Sequence, residues 1–157
     1  MKKQSKDLIL DLTKKAQLGL IIGAALGAST GAYANWEGLS NVGVGTADLA
    51  VDAGNATITN VTVDQARYVG NLTSMSNTVG ETTNVTFAVG GGKALFRSLD
   101  GGSPSSIYGT LSSNGALFLM NPNGILIGGT GSVVTLGGFT ATTMEVDKDE
   151  FAQDKNN

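Results

Sequence analysis

From Asn35 onward the apolar residues do not recur with the 3.6-residue spacing of an amphipathic helix. They come in short β-branched or alternating runs broken by Gly, Asn, Asp and Ser. Ala56-Thr-Ile-Thr59 alternates small or apolar residues with threonine, and Val61-Thr-Val63 resumes the alternation in the opposite phase. A one-residue slip moves every side chain to the other face of a strand, so Thr59-Asn60 is expected to be a corner. Asn84-Val-Thr-Phe-Ala-Val89 alternates cleanly, with Val85, Phe87 and Val89 facing one way. Ala116-Leu-Phe-Leu-Met120 and Ile125-Leu-Ile127 are continuous apolar runs, the pattern of strands buried on both faces. Ser132–Leu136 and Thr140–Val146 complete the series.

The breaks are turn sequences: Gly90-Gly-Gly92, Asp100-Gly-Gly-Ser-Pro104, Asn121-Pro-Asn-Gly124, Gly128-Gly-Thr-Gly131 and Gly137-Gly138. Short strands with short turns suit a sandwich, a barrel or a β-solenoid. The richest apolar segment leads into Asn-Pro-Asn-Gly, where proline fits the second position of a type I turn. Type I turns splay hairpin strands, so this one is expected to bend the chain round a corner. That favours an all-β solenoid.

Residues 1–34 differ in kind. Lys2, Lys3, Lys6, Lys14 and Lys15 form a long basic region interrupted by Asp7 and Asp11. Leu18–Ala28 is an uncharged apolar run of eleven residues, shorter than the about 20 that a membrane span needs. Ala32-Tyr33-Ala34 supplies the small-x-small pattern behind which signal peptidase cuts. The expectation is an exported chain with Ala32 and Ala34 at the cleavage site, Asn35 as the new N-terminus, and no stable membrane span.

Charge then changes meaning. The 157 residues carry a net charge of −3, but five of the ten basic and two of the thirteen acidic residues lie in the leader. Residues 35–157 therefore have five basic and eleven acidic side chains, a balance unsuited to nucleic acid or anionic lipid. With no Cys and no His, disulfides, thiolate or imidazole metal sites and Ser-His or Cys nucleophile systems are excluded. Asp48, Asp52, Asp64 and Asp100 are the carboxylates an enzyme would use, and they stand singly without a paired acid in motif spacing. No catalytic residue, cofactor or metal is expected. Four Asn-x-Thr triplets, at Asn55, Asn60, Asn71 and Asn84, are read as chance matches in a Thr-rich β sequence. Arg67 and Arg97 read as lone, exposed cations, and the acidic stretch from Glu145 reads as a solvated strand end or fraying tail.

One block goes beyond composition. Ser113 to Gly128 reads Ser-Asn-Gly-Ala-Leu-Phe-Leu-Met-Asn-Pro-Asn-Gly-Ile-Leu-Ile-Gly. Within the longer block 94–128, this resembles the amino-terminal secretion domain of filamentous-haemagglutinin-like exoproteins, the substrates of two-partner secretion in Gram-negative bacteria. Val79–Phe87 is similar to the family's G-E-T-x-N-F strand, and Leu136–Met144 to its Gly-Gly-apolar-x-Ala-(Ser/Thr)-Thr segment. The long basic leader is similar too. Tyr68-Val-Gly-Asn-Leu72 stands where the family usually has an aromatic-rich D-W-x-x-F strand.

The resemblance implies a right-handed parallel β-helix of about five rungs. It also implies an organisation of signal peptide (1–34), N-terminal cap and first strands (35–78), rungs with the secretion motif (79–151) and polar tail (152–157). Family domains continue into a long passenger, so this chain is expected to be a truncated or partial relative. The implied partner is an outer-membrane β-barrel transporter whose periplasmic domains recognise the extended chain. A host or neighbour cell surface would be met through the passenger. Asn121, Pro122, Asn123, Gly124 and Ile125 are the expected recognition turn, with Asn121 and Asn123 displayed, and Asn114-Gly115 is the supporting turn. The competing expectation is a free-standing β-domain that binds carbohydrate or a cell surface, against which the single Trp36 weighs.

Overall fold

The computed structural model describes residues 36–99 and 102–153. The leader with Ala32 and Ala34, the Asp100-Gly101 pair and residues 154–157 lie outside the described residues. Three short strands come first: β1 (Trp36–Glu37), β2 (Ser40–Asn41) and β3 (Ala47–Val51). The chain then coils through β4 (Ile58–Val63), β5 (Arg67–Leu72), β6 (Ser74–Met75), β7 (Thr82–Phe87), β8 (Lys93–Ser98) and β9 (Ser105–Ile107). It continues through β10 (Thr110–Ser113), β11 (Ala116–Met120), β12 (Ile125–Ile127), β13 (Ser132–Thr135) and β14 (Phe139–Thr142). A helix, α1 (Lys148–Gln153), follows.

The coil is a parallel β-solenoid. β4, β7, β10 and β13 stack in parallel as one sheet, and β5, β8, β11 and β14 as a second. β9 and β12 make a short third face. Ile58 pairs with Thr82, Thr82 with Thr110 and Thr110 with Ser132, so successive turns take 24, 28 and 22 residues. There are four turns rather than five. Residues 36–51 form no rung: β1, β2 and β3 run antiparallel to β6, β5 and β4 and close the first turn.

Stacking turns every second residue into a column. Inside the first sheet run Thr59, Thr83, Leu111 and Val133, then Val61, Val85, Ser113 and Thr135. Inside the second run Tyr68, Ala94, Leu117 and Phe139, beside Gly70, Phe96, Leu119 and Ala141. Small residues occur in both columns of the second sheet, Ala94 between Tyr68 and Leu117 and Gly70 beside Phe96, and leave room for the larger neighbours in rungs about 4.8 Å apart. The inner core is sealed at the arm by Trp36, set edge-to-face on Phe96 at 4.9 Å, and by Tyr68, whose hydroxyl donates to Asn41 Oδ1 at 2.8 Å. Burial holds the Tyr68 phenol well above its ordinary value.

Several sequence expectations change here. Thr59-Asn60 is no corner. β4 runs straight through it because the inner face is Thr59, Val61 and Val63, while Asn60 points out and accepts from Asn84 Nδ2 at 3.1 Å. Val89 lies beyond the end of β7 and is half exposed. Ala116–Met120 is buried on both faces, but Leu126 and Ile127 are exposed because β12 is the last strand of its face. Arg97 is buried, not exposed, and Arg67 donates to the Ala152 carbonyl at 3.2 Å. The acidic stretch contains α1 instead of a strand end. Asp147 Oδ1 accepts from the amides of Asp149 and Glu150, both at 2.8 Å, and so caps the helix. Ala152 and Gln153, expected in the polar tail, close that helix.

Trp36 is the chain's single tryptophan and sits buried in the cap, so its emission reports folding. Leu117→Ala removes a fully buried inner side chain and is expected to cost about 2–5 kcal/mol in urea titrations followed by Trp36. The Thr46 hydroxyl and amide donate to the Asp64 carboxylate, both at 2.7 Å, and hold it below the usual carboxylate range. A depressed folded value contributes stability above the unfolded pKa of about 4 and loses it as pH falls through the lower folded one. Asp64→Asn is therefore expected to narrow the gap between melting temperatures at pH 7 and pH 3, and an unchanged gap refutes the assignment.

Candidate functional site

The Asn-Pro-Asn-Gly turn joins β11 to β12 at a corner of the third turn. Asn121 leaves β11 with its amide donating to Thr142 O of the next turn at 3.1 Å. Its side chain points inward and is 1% exposed. Asn121 Nδ2 donates to Ser103 O at 3.0 Å and to Ser105 Oγ at 2.9 Å, both in the preceding turn. Asn121 Oδ1 accepts from the Asn123 amide at 2.9 Å, and Gly124 N returns to Asn121 O at 3.0 Å. One primary amide thus meets two donor and one acceptor requirements that a buried corner leaves open.

The neighbours divide the remaining work. Pro122 and Asn123 are exposed at the tip, with φ of Pro122 set by its ring. Gly124 has φ +115°, a conformation L side chains rarely adopt, and its carbonyl accepts from Ser105 N at 2.9 Å. Ile125 is half-buried against the inner core. In the folded chain the displayed pair is therefore Pro122 and Asn123, and Asn121 is engaged inside.

Asn114 does the same work on the opposite corner. Its Oδ1 accepts from Phe87 N at 2.8 Å and its Nδ2 donates to Phe87 O at 3.0 Å, so the side chain extends the ladder to the turn before. Gly115 follows because a β-carbon there would lie 2.6 Å from the Phe87 ring. A third asparagine, Asn77, was missed from sequence. It is buried, with Oδ1 accepting from Gly109 N at 3.1 Å and Nδ2 donating to Thr110 O at 3.0 Å. The signal was present: Asn77-Thr-Val-Gly80 repeats the Asn-x-x-Gly frame of Asn121–Gly124, and Gly80 likewise has φ +85°. Beside it the buried Glu81 accepts the Thr78 amide at 2.6 Å and ties the same bend.

The site consists of amides, hydroxyls and backbone. Of the candidate carboxylates, Asp52 accepts from Gly54 and Asn55 amides in a turn, Asp64 holds Thr46, and Asp48 lies on β3. These are separate positions, and Asp100 lies outside the described residues. Among the described residues no group of three or more carboxylates gathers in a way that could hold a metal ion. None of their helices is long and apolar enough to cross a membrane.

Comparison with known proteins adds the following. The family described as TPS secretion domain matches residues 76–156, from the end of the first turn through α1. The heme/hemopexin-binding protein of Haemophilus influenzae is 30% identical over 106 residues, covering 66% of this chain and 12% of that protein. The crystal structure of the HMW1 secretion domain from Haemophilus influenzae superposes with a TM-score of 0.64 at 24% identity, over 74% of this chain and 30% of that one. That likeness shows a shared fold.

Asn121→Ala strands Ser105 Oγ, the Ser103 carbonyl and the Asn123 amide, and is expected to cost about 1–3 kcal/mol. Asn123→Ala removes only an exposed contact and is expected to stay within about 0.5 kcal/mol of wild type. Urea titration of the two variants side by side checks the split, and equal losses refute it.

Proposed function

The chain belongs to the TPS secretion-domain family, and from that premise we propose that it targets a longer exoprotein to an outer-membrane β-barrel transporter. The family match over 76–156 is the observation that carries this reading. The chain spans about an eighth of the curated relative, so adhesion or any other activity of a long exoprotein belongs to residues beyond the matched segment. Residues 1–34 act as the signal peptide, cut after Ala34, and bring the chain into the periplasm. The domain itself is not catalytic. No finding favours a free-standing carbohydrate-binding domain.

The physical basis is the folding problem of a solenoid. Within the two main sheets each parallel pair joins strands 22 to 28 residues apart, so the parallel ladder cannot form from local contacts. Such non-local parallel pairing is intrinsically slow, which leaves the chain time in an extended form. An extended strand can add to a sheet edge in the transporter's periplasmic domains. In that form the Asn121 amide is free to be read, together with Pro122, Asn123, Gly124 and Ile125. After folding, Asn121 is committed to Ser103 and Ser105. Recognition through Asn121 therefore precedes folding and is ended by it. Asn114 and Gly115 serve the folded state by clamping Phe87.

The test is secretion from a Gram-negative host that expresses the full chain with or without its partner transporter. Release into the medium is expected only with the transporter, and equal release without it overturns the reading. Pro122→Ala with Asn123→Ala, which spares the buried clamp, is expected to lower release at least about fivefold while the folded protein melts as wild type.

A further inference from the structure

Strands β5, β8 and β11 of the second sheet are buried on both sides, and their outer side is covered by segments far apart in sequence. Val69 of β5, Leu95 of β8 and Met120 of β11 are fully buried outside the coil. Val42 and Val44 of the arm cover them from the N-terminal end, held by bonds from Val42 N to Val69 O (3.2 Å) and from Val69 N to Val44 O (3.1 Å). Val146 and Phe151 cover the rest. These two lie on residues 143–153, which leave the fourth turn after β14 and run back over the third, second and first.

Each step has a named contact. Val146 N lies 3.4 Å from Met120 Sδ on β11, and Phe151 stands edge-to-face on Phe118 at 5.1 Å. Glu145 meets Arg97 of β8 at 3.4 Å. The helix then ends on β5, where the Arg67 guanidinium takes the Ala152 carbonyl, a cation at the negative end of the helix dipole. In a solenoid each turn touches only its neighbours. This segment starts on the fourth turn and ends on the first.

The covering is not free of cost. Arg97 is buried with its Nε lacking a partner, and the Oδ1 of Asn71, its register neighbour on β5, lacks one too. Seating the segment gains apolar contact and desolvates a guanidinium, so its opening costs less than unfolding the inner core.

We propose that residues 143–153 are a closing strap whose seating clamps the outer side of the second sheet across the first three turns. The strap follows β14 in the chain, so the turns can stack before it is seated and the second sheet is clamped only afterwards.

Hydrogen exchange by mass spectrometry on the full chain tests this with Phe151→Ala and Asp147→Ala, the second loosening only the helix cap. For Phe151→Ala, exchange is expected to rise about tenfold in both β5 and β11, two turns apart, with β7 and β10 of the first sheet changing less than about threefold. Faster exchange confined to 143–153 overturns the proposal, as does equal acceleration in both sheets. Should Phe151→Ala fail to fold, Asp147→Ala decides. Faster exchange in β5 supports the strap, and a change restricted to α1 overturns it.

Discussion

In-register parallel stacking is the constraint on which this molecule depends. A parallel rung satisfies its backbone only through the rungs above and below, so the repeat must return every strand to the same azimuth whatever the length of the turn between. Turns of 24, 28 and 22 residues all achieve this, with the extra residues of the second turn spent outside the ladder. Column chemistry follows. A β-carbon at Gly70 would overlap the Tyr68 ring, and Ala94 separates Tyr68 from Leu117, so small residues make room for that ring.

Corners are where such a ladder fails, since backbone groups there turn away from their neighbours. This chain answers with side-chain amides. Asn77 and Asn114 each present an acceptor and a donor to an adjacent turn, whereas Asn121 donates twice to the preceding turn and accepts within its own. Serine or threonine offers too few groups for that geometry, and a carboxylate offers no donor. Asn121–Gly124 is therefore a joint in the folded state.

Much of this was legible in the residues. The alternation of Val85 and Phe87, the double-sided burial of Ala116–Met120 and the bend at Asn121–Gly124 are where the pattern put them. What escaped has a common cause. Sequence alternation measures hydrophobicity, whereas an inward column measures shape, so Thr59, Thr83 and Ser113 sit inside and Thr59-Asn60 passed for a phase slip. The antiparallel arm carries no periodic signal in strands of two to five residues. A six-residue helix is unstable alone and is made by tertiary contact, which two apolar anchors among acidic residues do not advertise. Arg97 read as exposed because nothing in its neighbourhood announces a cover arriving from 48 residues later.

The antiparallel arm gives the stack unlike ends. At the first turn the direction of the chain reverses and Trp36 plugs the interior, whereas β13 and β14 present open parallel edges beside the bare side chains of Val134 and Leu136. The object is thus polar in the manner of a filament with one blocked tip. Among the described residues, a further rung that continues the parallel ladder finds its template at the β13–β14 end, so the arm sets the vector of growth.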